Sequence, residues 1–292
     1  MRNNSSKNPV LSKILIIAAL LVAGSLAFAL TAFHTFPLDM AETKLKDALS
    51  AQGARISFAS LSRTFPFGLT AEDIELSDAS TGKPVLKLDT AEARLELLSL
   101  LRMDPTVALR ATVGGGTITG KFRPGLKGAR LDLTAGDLEF RDIAALTAAG
   151  INIDGSFGGT LCVNFSAGAC PSGSARLRGG NIKEEGLRLA GFKLPTGDIE
   201  SAGLNAAFGE CKAVVEGLWL DGRELSARLS GEVFLRAPLE TSPVKMTLEV
   251  TPRADTAGKS LVLSLLSSFR KTANYYSANI GGTLGRPVAE KR

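Results

Sequence analysis

Histidine is almost missing from this chain: His34 is the only one in 292 residues. A histidine-centred catalytic triad and a multi-histidine metal site therefore lack their parts. Tryptophan and tyrosine are scarce, one and two, and aromatics make up only 6% of the chain, which argues against an aromatic-rich nucleic-acid stacking platform. Cysteine is limited to Cys162, Cys170 and Cys211, with no C-x-x-C spacing, which argues against thiol redox catalysis and zinc ribbons. No residue qualifies for a catalytic, cofactor-binding or metal-binding role. His34 borders an apolar segment and reads as an interfacial residue. Asp and Glu are scattered among the polar positions of expected strands, where solvation accounts for them. The sequence argues against an enzyme.

Long apolar runs are absent with one exception. Ile14 to Phe33 is an uncharged stretch of 20 residues. A helix of that length spans about 30 Å, the hydrocarbon thickness of a bilayer. Arg2, Lys7 and Lys13 precede it, and no acidic residue appears before Asp39. Basic flanks stay on the cytoplasmic side. Residues 1–13 are thus expected as a cytoplasmic tip, 14–33 as a transmembrane helix in the inner membrane, and the rest of the chain as periplasmic. A cleaved signal peptide is the competing reading, with Ala27-Phe28-Ala29 as the cleavage site. The uncharged run is longer than the usual apolar core of such peptides and continues beyond that site. Both readings export the remainder.

The net charge of +5 is not a nucleic-acid signature. Without the three basic residues of the tip, 31 Lys and Arg face 29 Asp and Glu, and no basic patch stands out. The exported part holds all three cysteines. An oxidising compartment predicts one disulfide and one leftover thiol, and three pairings are open.

After Pro37, the positions of Leu38, Ala41, Leu45, Ala48 and Leu49 share a helical face, so 37–53 is expected as an amphipathic connecting helix closed by Gly53. From residue 54 to 292 the period changes to two. Ala91, Ala93, Leu95 and Leu97 alternate with polar residues, as do Ala129, Leu131 and Leu133; Leu225, Ala227 and Leu229; and Val244, Met246, Leu248 and Val250. Such alternation marks half-buried strands. Turn residues punctuate them at Gly82-Lys83-Pro84, Pro124-Gly125, Pro171-Ser172-Gly173, Pro195-Thr196-Gly197 and Asp221-Gly222. The expected fold is mainly β: about twelve to fourteen strands in a large, curved, mostly antiparallel sheet. Its apolar face is either folded over itself as a sandwich or barrel, or left as an open trough for an apolar ligand. Two further short helices are expected, Ile143 to Ala149 and Ser260 to Lys271. The element G-G-T/N-I/L recurs at Gly115, Gly158, Gly179 and Gly281 and is expected to start or bend a strand. Gly114-Gly115-Gly116 lacks the spacing of a phosphate-binding loop.

The stretch Phe65 to Leu76, with Gly82 to Asp89 and Ala93 to Leu101 after it, resembles the opening of AsmA-like envelope proteins. Leu225 to Leu235, Pro238 to Leu248 and the closing Ile280 to Pro287 resemble the type II secretion system protein N (GspN) family. That resemblance implies an inner-membrane subunit of the general secretion pathway of a Gram-negative bacterium. Its partners would be other secretion subunits, such as the secretin or the inner-membrane platform. The AsmA-like likeness implies an alternative: a lipid-transport or envelope-biogenesis factor that takes phospholipid in a β trough. Neither brings catalytic residues.

Overall fold

The computed structural model describes residues 31–290 except 32, 36, 51–53, 80–81, 144–153, 167, 184–187, 190–191, 194–198, 237–240 and 254–266. The tip 1–13, nearly all of the expected anchor 14–33, and the expected helix at Ile143 to Ala149 beyond Ile143 lie outside the described residues. Among the described residues no helix is long and apolar enough to cross a membrane.

The connecting helix is present as α1 (Leu38–Ser50). Asp39 in its first turn complements the helix dipole. Glu42 and Lys46 pair one turn apart, and the Lys46 ammonium also lies 5.2 Å from the Phe58 ring centre, where helix and sheet meet.

The rest is β structure. The strands are β1 (Ala54–Ser57), β2 (Ser60–Thr64), β3 (Gly68–Asp78), β4 (Pro84–Leu95), β5 (Val107–Val113), β6 (Gly116–Gly125), β7 (Gly128–Glu139), β8 (Asp154–Ser166) and β9 (Ser172–Lys183). They continue as β10 (Arg188–Leu189), β11 (Phe192–Lys193), β12 (Ile199–Gly209), β13 (Lys212–Gly222), β14 (Leu225–Phe234), β15 (Val244–Pro252), β16 (Arg270–Thr272), β17 (Tyr275–Thr283) and β18 (Arg286–Glu290). Sixteen form one antiparallel sheet, and β10 with β11 forms a separate pair. The order is a meander with one gap, where β9 pairs directly with β12. At one edge β1 and β2 share β3; at the other, β16 and β18 share β17. Tight turns impose this pattern. Gly114-Gly115, Leu126-Lys127, Glu210-Cys211, Arg223-Glu224 and Leu284-Gly285 each occupy a short hairpin connection. At Glu210 and Cys211 both residues have positive φ, which matches the turn twist to the strand twist.

Irregularities keep the apolar residues in phase. In β7 Gly136 and Asp137 form a bulge between Ala135 and Leu138, opposite Gly158. In β13 Glu216 and Gly217 do the same between Val215 and Leu218. Each bulge adds one residue, so the apolar residue after it returns to the face of the one before. In β3 the alternation shifts from Leu69 and Ala71 to Ile74 and Leu76, and Asp73 at the shift has φ +49.

Two expectations need correction. Alternation stops at Leu95: Leu97–Leu101 is a short helix, α2. A Leu-Leu-Ser-Leu-Leu run has no period of two, and the Ser99 hydroxyl accepts from Thr106 N at 2.9 Å to close the link into β5. The helix expected over Ser260 to Lys271 does not reach its end, since Ser267–Phe269 is a 3-10 turn and Arg270–Thr272 is strand β16. Arg270 and Thr272 instead pair along β17, with Tyr276 and Tyr275. Residues 260–266 lie outside the described residues.

The cysteine pairing left open by spacing is Cys170 with Cys211, with Cα atoms 5.1 Å apart. It joins the β8–β9 turn to the β12–β13 turn, which are neighbours only because β9 pairs with β12. Cys162 is free.

Replacing Cys170 with Ser is expected to lower stability by about 2–4 kcal/mol, because the bond closes a long loop of the unfolded chain. Denaturant unfolding of the oxidised proteins checks this. Gly231 has φ +140, and a Cβ there would stand 2.3 Å from the Lys245 carbonyl oxygen. Gly231→Ala is expected to cost about 1–3 kcal/mol by overpacking in the same assay.

Candidate apolar binding face

Ladder partners lie on the same side of a sheet, so the registers define its faces. One row runs Ala91, Ala111, Ile118, Ala135, Gly159, Leu177, Leu204, Leu218, Leu229, Leu248, Ala278, with no polar residue across eleven strands. A second, two residues along each strand, runs Ala93, Leu109, Gly120, Leu133, Leu161, Ala175, Ala206, Val215, Gly231, Met246, Ile280. A third runs from Leu95 and Val107 through Phe122, Leu131 and Val163 to Phe208, Val233 and Val244. At ~4.8 Å per strand the rows extend for about 48 Å along the sheet.

These side chains are incompletely covered. Among the described residues twelve hydrophobic ones are buried, Val113, Leu138, Val163 and Val233 included. Most row members are half-buried, and Leu218 is exposed. Leu225, Val250 and Tyr276 form a buried cluster with Leu220, Ala227 and Leu248 around it. Those six come from four neighbouring strands of this sheet, so the cluster is lateral packing. In a sandwich, inward residues are buried by a second layer. Among the described residues the sheet's two edge groups do not pair with each other.

The opposite face is polar. Arg110, Thr119, Thr134, Thr160, Arg176 and Asn205 form one of its rows. A shallow cleft of about 520 Å³ there is lined by Glu92, Arg94, Lys121 and Asp132 among others. Its charges are largely matched. Arg94 pairs with Glu92, Lys121 with Glu96 at 2.9 Å, and Arg130 with Asp132 at 2.9 Å. Hydrogen bonding from Arg130 holds the Asp132 carboxyl below the usual range, with help from Cys162. The free thiol of Cys162 moves the other way. Its hydrogen bond to Asp132 raises its pKa, and burial adds to this. A thiol held in its protonated form beside a carboxylate is a poor nucleophile.

Of the four glycine repeats only the first starts a strand; the others lie inside β8, β9 and β17. Gly116 starts β6, Gly158 faces the β7 bulge, Gly179 and Gly180 lie within β9, and Gly282 has φ +83 near the end of β17. Gly114 and Gly115 form a hairpin turn with no helix after it. His34 is exposed and meets the Phe33 ring edge-on, and Phe33 in turn packs against Phe67 just before β3. Among the described residues no three His, Cys, Asp or Glu side chains come together as a metal site. The continuous rows were missed in sequence because single strands show alternation but not which strands align. The bulge residues Gly136 and Gly217 were the available signal.

Comparison with known protein families, with curated proteins and with solved structures finds no match to this chain.

Asp132→Asn is expected to return the Cys162 thiol towards its ordinary pKa, since both the hydrogen bond and the negative charge are weakened. The midpoint of its alkylation rate against pH should move down. A midpoint unmoved or moved up contradicts the assigned contact.

Proposed function

We propose that the chain is a non-enzymatic periplasmic protein, tethered to the inner membrane by residues 14–33, that holds lipid acyl chains on the apolar face of its sheet. One observation carries this reading: three unbroken apolar rows, mostly half-buried, with lateral packing as their cover among the described residues. A contiguous apolar surface that runs about 48 Å along the sheet, at ~4.8 Å per strand, suits a ligand- or partner-binding surface. The sheet is read as a curved, open trough. Gly120 supports that reading: a Cβ on it would stand 2.3 Å from the Asp132 carbonyl oxygen, so the neighbouring strand closes in on the apolar side. The Cys170–Cys211 bond suits an oxidising compartment. The AsmA-like resemblance points the same way.

The second reading is a subunit of the type II secretion pathway, as the resemblance to the GspN family implies. The two sheet edges, which carry no further strand among the described residues, favour it. β18 is exposed along its whole length, and an unpaired edge offers backbone groups to a partner strand. The partner would be the secretin or an inner-membrane platform subunit.

Native mass spectrometry of the full-length protein separates the two. Co-purified phospholipid that is lost in Leu204→Lys/Leu229→Lys, with the circular dichroism unchanged, is the expected result. No bound lipid, together with loss of folded exoprotein secretion on gene deletion, would replace the first reading by the second.

A further inference from the structure

The polar face carries a cleft that the apolar rows do not explain. It has a volume of about 610 Å³ and runs from β12 to β17. Trp219, the chain's only tryptophan, lies in it. The largest apolar side chain would be expected on the apolar face. The Glu216–Gly217 bulge sends it to the other: Val215 and Leu218 remain on the apolar side, so Trp219 turns to the polar one. Bulges commonly re-aim a side chain beside a functional site.

The indole has a prepared seat. A Cβ on Gly203 would stand 2.3 Å from its Cζ2 and 2.5 Å from its Cη2. The six-membered ring therefore lies against the glycine backbone of β12, and the residue, half-buried, also lines the cleft. The surroundings are planar hydrogen-bonding groups. Arg228 lies directly opposite Trp219 on β14, and Glu249 opposite Arg228 on β15. The Tyr275 hydroxyl donates to Glu249 at 2.7 Å and fixes that carboxylate. Ser201 donates to Asp221 at 3.3 Å on the same face.

We propose that this cleft is a saccharide-binding site for a pyranose glycan of the cell envelope, with Trp219 as its platform. A pyranose ring has an apolar C–H face, which an aromatic ring can cover, and a rim of hydroxyl and amide groups. Trp219 offers the first surface; Arg228, Glu249 and Asn205 offer donors and acceptors for the second. The cleft crosses five strands, about 19 Å, which suits an oligosaccharide better than a single ring. Carboxylates outnumber the guanidinium here, so a cationic ligand is the rival occupant. A cation site built on aromatics needs rings gathered around the charge, and Tyr275 stands three ladder steps from Trp219, about 14 Å. The envelope source of the glycan rests on the periplasmic placement proposed above, whereas the cleft itself is independent of the apolar face and its lipid.

The single tryptophan makes the test direct. Full-length protein in a detergent without sugar headgroups is titrated with chitohexaose, and the Trp219 fluorescence is followed. Separate arms use peptidoglycan fragments and the core oligosaccharide of lipopolysaccharide, and whichever saturates the signal identifies the source of the glycan. The expected result is a saturable change in at least one sugar arm. Affinity by calorimetry should fall at least tenfold in Trp219→Ala and measurably in Arg228→Ala, with circular dichroism and the Cys170–Cys211 bond intact. Absence of saturation in all three arms overturns the proposal. So does saturation by oligolysine alone that disappears in Glu249→Gln, which would make the cleft a cation site.

Discussion

In one large antiparallel sheet the side of every residue is set by pairing register. Because side chains alternate with a period of two, a one-residue slip in any strand would carry a charged row onto the apolar side. Unbroken rows across eleven strands therefore require each hairpin to be in register with all those before it. The structure meets this demand with local devices. The bulges at Gly136–Asp137 and Glu216–Gly217 each absorb one residue where the apolar pattern slips, and Asp73 adopts a left-handed backbone where β3 changes phase. Gly120 and Gly231 lack the Cβ that would strike the adjacent strand.

A sheet built this way differs energetically from a two-layer domain. Its apolar side chains cover one another sideways, and burial worth roughly 25 cal/mol per Å² is only partly realised at half-exposed positions. Other interactions take a larger share. The meander relies on contacts between chain neighbours, which lowers the entropy cost of closing loops. Where the order is broken, between β9 and β12, the disulfide joins the two turns. Cross-strand ion pairs such as Arg123–Asp132 and Lys212–Glu232 decorate the solvated side, and exposed pairs of this kind contribute little each. Further apolar burial remains available to a bound chain or partner.

The two faces thus separate two kinds of chemistry. The apolar face is extended, uniform and without directional groups, suited to ligands that vary in length and detail. The polar face is interrupted at one place by an aromatic ring on a glycine seat, surrounded by oriented polar groups. The thiol of Cys162 on the polar face is held protonated by its neighbour Asp132.

The alternation of residues such as Leu131 and Leu133 or Leu225, Ala227 and Leu229 made a two-faced antiparallel sheet legible in the sequence. Pro37 and the apolar spacing that follows it did the same for α1. Both signals are local, carried within a few residues of chain. The Leu97–Leu101 helix and strand β16 were misread because short segments take their conformation from their neighbours: Ser99 from Thr106, Arg270 from Tyr276. Composition determined that three cysteines yield one disulfide at most. Only the tertiary structure decided that Cys211 faces Cys170, that Trp219 stands on the polar side, and that the apolar residues of separate strands line up as rows. Those outcomes depend on register between segments distant in sequence, and a period of two is identical in every register that differs by an even number of residues.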